Sequence, residues 1–310
     1  MNTLEKTIPS VMAAAVKPFL LASLLVAGAA VAAESVDESR PASPDGRIQF
    51  SGVTGDFEVI GHDAEEWLLS GTLGDDVEEL VIDGGPEDWT IRLEMKKGNS
   101  GWNLNKASTD LKLLVPRGSE LDVQTVSGDL WLRELAGRSV DAKSVSGDLE
   151  LVDVTPQRLN ASTVSGDLSA RGGASEVNRI KSVSGDVDAS GASGRVELES
   201  VSGDVSVEGS AVSELSIESV SGDVVARIRP TDRSRMDISS HSGDVELYLP
   251  AGTGLRVDAE TFSGSISSAF GGDVRSGRGP GESLSMETGS AGVEIEASTF
   301  SGNLRLYELD

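Results

Sequence analysis

Segments of alternating apolar and polar residues run through the middle of the chain. In residues 121–125, Leu, Val and Thr alternate with Asp and Gln, and residues 215–219 repeat the pattern. Successive side chains of an extended strand point to opposite sides, so this alternation predicts a half-buried β-strand. Leu, Val or Ile and then Ser or Thr would face inward, and the polar residues would face water.

The residue after each such segment is again apolar, Val126 in one case and Val220 in another. It interrupts the alternation, so we expect the chain to turn a corner or form a bulge before the valine. Beyond the corner, Leu130 and Leu132 would face inward with the valine, and Trp131 would face outward. The pattern predicts a second strand and a buried row of valines. The row consists of Val126, Val145, Val164, Val183, Val201 and Val220.

A Ser-Gly-Asp tripeptide follows these valines and recurs at nearly constant spacing. Its serines lie at positions 127, 146, 165, 184, 202, 221 and 242, so the steps are 19, 19, 19, 18, 19 and 21 residues. A period of about 20 residues is typical of a solenoid, in which each coil covers the apolar face of its neighbour. Two strands per coil predict an all-β fold, a single parallel β-solenoid of about 14 coils spaced about 4.8 Å apart. We expect a right-handed β-helix, because left-handed hexapeptide helices favour about 18 residues per coil.

The repeat also sets the expected domain boundaries. Ser51-Gly52, Ser263-Gly264 and Ser301-Gly302 fall on the same spacing outside the regular block, so one array covers nearly the whole chain. We expect a signal peptide at 1–33, a linker at 34–45 and a repeat domain at 46–310. The repeat domain divides into irregular coils at 46–120, regular coils at 121–250 and C-terminal coils at 251–310, with a glycine-rich insertion at 271–281.

The N-terminal segment has the features of a secretory signal. Lys6 and Lys17 precede an apolar run at residues 19–31, and Ala30 and Ala32 provide small residues for cleavage. The run is shorter than the roughly 20 residues of a membrane-spanning helix. We therefore expect export to the periplasm, the exterior or the cell surface, with no membrane span after cleavage. The sequence contains no cysteine, which excludes disulfides and thiolate metal sites.

The charge of the chain restricts its partners. It contains 26 Lys and Arg against 51 Asp and Glu, a formal net charge of -25. Such a surface repels the phosphates of nucleic acid and anionic lipid headgroups. The expected partner is a cell-envelope or surface component, or a cationic peptide, and the oligomeric state is left open. Acidic side chains also keep a long β surface soluble and its edges unpaired.

The repeat places seven carboxylates in one column. They are Asp129, Asp148, Asp167, Asp186, Asp204, Asp223 and Asp244. Like charges in a ladder are destabilising unless something compensates them. Backbone N–H groups of the turn provide one compensation, and calcium shared between neighbouring carboxylates provides another. Local hydrogen bonding is favoured because the nonapeptide pattern of calcium-binding solenoids is missing, so the seven residues are only weak calcium candidates and no other cofactor is expected.

The remaining chemistry-bearing residues give no catalytic pattern. The two histidines, His62 and His241, are 179 positions apart, and His241 takes the place that valine has in other coils. Ser and Asp recur as repeat residues and not in the order of a triad. Trp131 has outward parity and is the candidate contact residue for a sugar or protein partner. We expect no catalytic residues, with a polysaccharide-active β-helix enzyme as the weaker alternative.

Four sequence features point to a known family. They are the repeated Thr-Val-Ser-Gly-Asp-Leu elements, Leu-Leu-Val-Pro at 113–116, Leu-Tyr-Leu-Pro at 247–250 and Gly-Asp-Phe-Glu-Val-Ile-Gly at 55–61. Together they resemble the bacterial putative adhesin family, domain of unknown function 4097, over most of the chain after the signal. The resemblance implies an exported β-solenoid with an adhesive role, and it supplies no catalytic residues. The chain departs from the family pattern at Ser265 and Asn303, which replace Asp, and at the insertion 271–281.

These observations predict a non-enzymatic, adhesin-like structural or interaction module of the bacterial cell envelope. It would display repeated polar ladders on a rigid β-rod, so that many weak contacts add up to useful affinity. Since relatives in the family it resembles are associated with envelope stress and antimicrobial-peptide sensing, an accessory protein that senses stress or cationic peptides is the alternative.

Overall fold

A computed structural model describes residues 34–97, 108–276 and 280–309. Within these ranges every helix or strand is a β-strand, and no helix is present. The predicted all-β class is confirmed, and the strands form a β-solenoid-like stack, as the repeat predicted. The predicted signal peptide, 1–33, lies outside the described residues.

Twenty-four strands are formed within the described ranges. The first twelve are β1 (Glu34–Pro41), β2 (Arg47–Ser51), β3 (Asp56–His62), β4 (Glu66–Leu73), β5 (Val77–Gly85), β6 (Asp88–Met95), β7 (Asp110–Pro116), β8 (Glu120–Ser127), β9 (Leu130–Arg133), β10 (Ser139–Ser146), β11 (Leu149–Val152) and β12 (Arg158–Ser165). The others are β13 (Leu168–Arg171), β14 (Val177–Ser184), β15 (Val187–Ser202), β16 (Val205–Ser221), β17 (Val224–Ser242), β18 (Val245–Pro250), β19 (Leu255–Ser263), β20 (Ile266–Ser268), β21 (Val274–Ser276), β22 (Glu282–Glu287), β23 (Val293–Ser301) and β24 (Leu304–Leu309).

Each coil of the repeat block contributes to two faces. The long face contains β8, β10, β12, β14 and the C-terminal parts of β15, β16 and β17, and the short face contains β9, β11, β13 and the N-terminal parts of the same three strands. Neighbouring strands pair in parallel and in register, so that Ser144 lies opposite both Thr125 and Thr163. The repeat therefore aligns equivalent residues in columns, as predicted.

The apolar core lies between the two faces. Leu121 and Val123 of the long face and Leu130 and Leu132 of the short face are each at most 1% exposed. Full burial of one such side chain contributes about 1.5–3 kcal/mol. Because every coil repeats this contribution, the stack is stabilised by contacts between neighbouring coils.

A glycine forms the corner between the two faces. Gly166 and Gly185 have φ of +127° and +126°, which favours glycine over residues with a side chain. A Cβ on Gly185 would overlap the carbonyl oxygen of Gly166 in the neighbouring coil. The corner thus lies at the Gly-Asp pair, and the predicted corner between the Ser or Thr and the valine is wrong.

The predicted buried row of valines is also wrong. Val126 and Val183 are each 47% exposed, and Val220 is 49% exposed. Because β8 continues through Val126 to Ser127, its alternation is unbroken and places an outward valine next to the inward Thr125. Thr125 is 3% exposed and ends the inward row of the strand.

The first coil of the sequence does not lie at the end of the stack. β2 pairs in parallel with both β6 and β8, and β3 pairs in parallel with both β7 and β9. Strands β2 and β3 therefore form a layer between the β6–β7 layer and the regular coil that starts with β8. The chain passes to the end of the stack and then returns, so sequence order and stacking order differ here.

The C-terminal coil is inserted in the same manner. β23 pairs in parallel with both β17 and β19, and β24 pairs in parallel with both β18 and β20. The last layer in sequence, β23 and β24, therefore separates β17 from β19. Stacking order therefore departs from sequence order at both ends.

Antiparallel strands cover both ends of the stack. β4 pairs with β7, β5 with β6 and β1 with β4 at one end, and β22 pairs with β19 and β21 at the other. They satisfy backbone groups that an open edge would expose. The segment 34–45, predicted as a linker, contains β1 and belongs to this cover.

The predicted count of about 14 coils is too high for the described residues. The order of strands along the long face is β6, β2, β8, β10, β12, β14, β15, β16, β17, β23 and β19, which gives eleven layers. The antiparallel strands at the two ends use sequence that the spacing argument had assigned to coils. The glycine-rich insertion contributes β21 to the second of these covers.

Candidate functional site

The outward valines form one continuous apolar ladder on the long face. Each lies at the same position of its coil, two residues before the corner glycine, and each is 47–49% exposed. The valine ladder consists of Val126, Val145, Val164, Val183, Val201 and Val220. Single exposed apolar residues are ordinary, but a contiguous row of them is typical of a contact surface.

Three aromatic rings extend the valine ladder toward the C-terminal end of the stack. The ring of His241, in the layer after Val220, stacks on Phe300 with centroids 5.0 Å apart and planes 6° apart. Phe300 stacks in turn on Phe262 at 4.7 Å and 4°. Phe262 and Phe300 are 58% and 49% exposed. The extended ladder crosses nine layers, a length of about 38 Å at the usual strand spacing.

A shallow groove of about 600 Å³ runs beside the valine ladder. Its lining includes Val183 and Val201, the buried Ser182 and Ser200, and residues of the next outward column. This flanking column contains, in layer order, Gln124, Lys143, Ser162, Lys181, Glu199, Glu218, Ser239, Ser298 and Glu260. The groove therefore has an apolar side and a charged side.

Charge is distributed unevenly along the flanking column. Lys143 and Lys181 lie in the half nearer β8, whereas Glu199, Glu218 and Glu260 lie in the other half. Where the two halves meet, the Lys181 ammonium forms an ion pair with Glu199 at 2.6 Å. The contact surface thus has a direction along the stack.

The predicted calcium candidates form a hydrogen-bonded ladder at the corner. The backbone N–H of Asp148 donates to Oδ1 of Asp129, and that of Asp167 donates to Oδ1 of Asp148, both at 2.9 Å. The same bond links Asp186, Asp204, Asp223 and Asp244 in turn, at 2.8–2.9 Å. Each carboxylate up to Asp223 accepts the N–H of the next aspartate, so backbone N–H groups compensate the charges, but the donors belong to the neighbouring coil and not to the same turn as the sequence argument favoured. Among the described residues no three His, Asp or Glu side chains converge as a metal site, and calcium binding stays a prediction.

Asn303 and Ser265 continue this ladder where the sequence departs from Asp. The N–H of Asn303 donates to Oδ1 of Asp244 at 2.8 Å, and the N–H of Ser265 donates to Oδ1 of Asn303 at 3.1 Å. Arg305 also contacts Asp244, at 2.8 Å. The donors to Asp244 are Asn303 and Arg305. They lower the pKa of Asp244 below its usual value, and the Asn303 backbone N–H has the largest effect. The substitutions therefore preserve the ladder.

The other residues singled out from the sequence are Trp131 and His62, which lie away from this surface, and His241, which lies on it. Trp131 faces outward and is half-buried on the short face, between Glu58 and Glu150 in the neighbouring strands, so its predicted parity is correct and its contact role stays a prediction. His62 forms a 2.8 Å hydrogen bond between Nε2 and the backbone oxygen of Glu66. His241 belongs to the aromatic part of the ladder.

Sequence reasoning missed the ladder as a surface. Its valines were assigned to the core because of their apolar character. The available signal was the unbroken alternation of residues 121–126, in which Val126 takes the parity of Asp122 and Gln124. Phe262 and Phe300 occupy the equivalent position in their own strands.

A family model matches residues 74–249, described as Toastrack DUF4097. This match spans more than half of the chain, which therefore belongs to the Toastrack DUF4097 family, and the family resemblance seen in the sequence is confirmed. Comparison with curated proteins gives no match. The described part of the chain contains no helix long and apolar enough to span a membrane.

Three solved structures are similar to this chain, each at low identity. A putative adhesin from Bacteroides fragilis is 11% identical, with 88% of this chain and 97% of that chain covered and a TM-score of 0.41. A putative lipid binding protein from Parabacteroides distasonis is 16% identical, with 87% and 96% covered and a TM-score of 0.40. A putative adhesin from Parabacteroides merdae is 11% identical, with 89% and 97% covered and a TM-score of 0.32. Likeness at this level says nothing about a shared ligand.

Proposed function

We propose that this protein is a non-enzymatic, adhesin-like interaction module exported to the bacterial cell envelope, and that its contact surface is the valine ladder with its flanking column. The scaffold in this proposal is a single right-handed β-solenoid. The observation that carries the proposal is the exposure of about half of every ladder valine in successive coils. Such a row would not persist on a purely mechanical stack without a cost in solubility.

The arrangement of the surface supports binding of an extended partner. The ladder is built on strands whose backbones are fixed by parallel pairing to neighbours on both sides, so the surface is already formed before a partner arrives. A preformed surface loses little conformational entropy on binding. Each layer offers only one valine and one flanking side chain, so affinity would come from contacts repeated along the stack.

The repetition of like residues along the stack supports the non-enzymatic part of this proposal. The seven corner carboxylates are alike, and their N–H bonds follow the repeat. Active sites on repeat scaffolds usually combine unlike residues on irregular loops. A polysaccharide-active enzyme would release product from a polysaccharide panel, and one Asp substitution would abolish the release.

Binding to isolated envelope fragments tests the proposal. The purified protein is mixed with the fragments, with and without calcium, and the bound fraction is measured after sedimentation. We expect the double variant Val183→Lys/Val201→Lys to lose most of the binding, because two charges interrupt the apolar row. Val225→Lys is the matched control, because Val225 faces outward on the short face of a neighbouring coil.

Equal binding by the ladder variant, the control and the wild type would reject the ladder as the contact surface. No binding by the wild type would reject an envelope partner. A product released by the wild-type protein would reject the non-enzymatic assignment. Binding lost only on chelation would point to the calcium candidates at the corner.

A second candidate, sensing of a cationic peptide, is favoured by an acidic groove on the C-terminal part of the long face. The groove has a volume of about 410 Å³, and its lining includes Glu218, Asp237, Asp258, Glu260 and Glu296. A cationic peptide would be attracted to it in a salt-dependent manner. If this candidate is correct, Asp258→Asn/Glu260→Gln weakens peptide binding, whereas the ladder variant leaves it unchanged.

A further inference from the structure

The valine ladder is complementary to a second copy of itself. Its side chains recur at the spacing of the layers, so two ladders placed face to face interdigitate at the same period along their length. Together with the flanking column, the eight layers that overlap in the arrangement proposed below cover on the order of 500 Å². Standard stable interfaces bury about 800 Å² per partner, so this surface is smaller than the standard and fits a dimer of moderate to weak affinity.

The flanking column decides how two copies would face each other. A two-fold axis that runs along the strands, perpendicular to the stack, makes the two copies antiparallel. It places each flanking column against the same column of the other copy, reversed in direction. A two-fold axis parallel to the stack instead places the flanking column against the opposite side of the ladder, where the Ser127 and Asp129 columns lie. Only the antiparallel arrangement brings the lysine half against the glutamate half.

We propose that two copies of this chain associate face to face and antiparallel through the valine ladder. This inference rests on the proposed function, since it names the occupant of the same surface. The two-fold axis passes between the layers of Val183 and Val201. In this register Lys181 faces Glu199 of the partner subunit, and Glu199 faces Lys181 of the partner subunit.

This register leaves no like charges opposed in the central layers. Ser162 faces Glu218 of the partner subunit, Lys143 faces Ser239 of the partner subunit, and the two Lys181–Glu199 pairs form a network of four charges across the axis. A shift by one layer in either direction would oppose two Lys181 or two Glu199 side chains. Charge therefore sets the register, while the valines provide the apolar contact.

An extended apolar peptide from the envelope is the main rival occupant. Such a peptide would explain the ladder but not the reversal of charge along the flanking column, which a second copy matches without further assumption. The net charge of -25 on each copy opposes association at low ionic strength. The test is therefore made at physiological salt.

Charge reversal at the axis gives the test. Lys181→Glu and Glu199→Lys are made singly, and the wild type, each variant and their equimolar mixture are examined by sedimentation equilibrium up to about 100 μM, a range that detects moderate dimers. Both side chains are about half exposed in the single chain, so each variant is expected to fold, which circular dichroism checks. Val225→Lys serves as the control for a new charge elsewhere.

We expect the wild type and the control to be dimers and each single reversal to weaken dimerisation by at least about tenfold, because like charges then meet twice at the axis. The mixture is expected to form dimers with one chain of each kind, because opposite charges then meet in both pairs across the axis. A wild type that stays monomeric, a dimer that neither reversal weakens, or a mixture that stays monomeric would overturn the proposal. A monomeric wild type that still binds envelope fragments through the ladder would reject the dimer and leave the proposed function standing.

Discussion

Phe262 and Phe300 stack with their ring centroids 4.7 Å apart, although 38 positions separate them in the sequence. Phe300 also stacks on His241 at 5.0 Å. It therefore lies between two rings that precede it in the chain. The inserted layer completes the ladder, because without β23 the rings of His241 and Phe262 would have no partner between them.

The same insertion occurs at the other end of the stack. β2 lies between β6 and β8, both of which follow it in the chain. Later strands therefore extend the stack on both sides of the β2 layer. In both cases the strands that end up outermost are paired with antiparallel strands. Covered ends oppose uncontrolled growth of the stack, which an open parallel edge would favour.

The corner glycines should not tolerate a side chain. Gly185→Ala is expected to destabilise the protein by about 3 kcal/mol, because its φ is unfavourable for alanine and its Cβ would overlap the carbonyl oxygen of Gly166. Urea denaturation followed by circular dichroism measures the change. Gly85→Ala is the matched control, since no atom lies within 4 Å of the added Cβ, and it should be close to neutral. Equal effects of the two variants would contradict the assigned corner.

At Asp186 the aspartate ladder should depend more on an accepting oxygen than on charge. Asp186→Ala removes the acceptor of the Asp204 N–H and is expected to cost about 1 kcal/mol. Asp186→Asn keeps an oxygen in place, as Asn303 does for Ser265, and should be nearly neutral. Thermal unfolding with and without a chelator measures both effects. If Asp186→Asn is as damaging as Asp186→Ala, or if chelation lowers the midpoint, charge or calcium is responsible instead.

Acid should weaken the contact between Asp244 and its donors. The pKa of Asp244 is lowered in the folded chain, mainly by the Asn303 backbone N–H. A lowered folded pKa contributes stability above the unfolded value, about 3.9, and that contribution is lost as the pH falls through the folded value. The stability difference between wild type and Asp244→Asn should therefore be largest above about pH 5 and shrink below about pH 4. Urea denaturation at a series of pH values measures it, and a constant difference would contradict the assignment.

Much of the fold was predictable from local patterns. The spacing of the Ser-Gly-Asp units predicted columns of like residues, and the parallel register of Thr125, Ser144 and Thr163 confirms it. The inward positions of Leu130 and Leu132 and the outward position of Trp131 also followed from alternation. These features depend on contacts between neighbouring coils, which repeat in the sequence.

The remaining features depend on information that local patterns do not contain. Val126 has the composition of a core residue and the parity of a surface residue, and parity decides its position once the corner is placed at Gly128. The inserted layers result from pairings across long stretches of sequence. Phe300 fits the ladder equally well before or after Phe262, so spacing alone gives no stacking order.

Engineered disulfides test the central claim, a continuous exposed ladder that passes through the inserted layer, most directly. The chain has no cysteine, so pairs can be introduced without side reactions. Cα atoms at equivalent positions of adjacent layers are about 4.8 Å apart, which is within the range of a disulfide. When one further layer lies between two layers, the distance is about 10 Å, which is beyond that range. We predict that His241→Cys/Phe300→Cys and Phe262→Cys/Phe300→Cys form intramolecular disulfides, whereas His241→Cys/Phe262→Cys does not. A disulfide in the third variant and none in the first would contradict the layer order and, with it, the ladder.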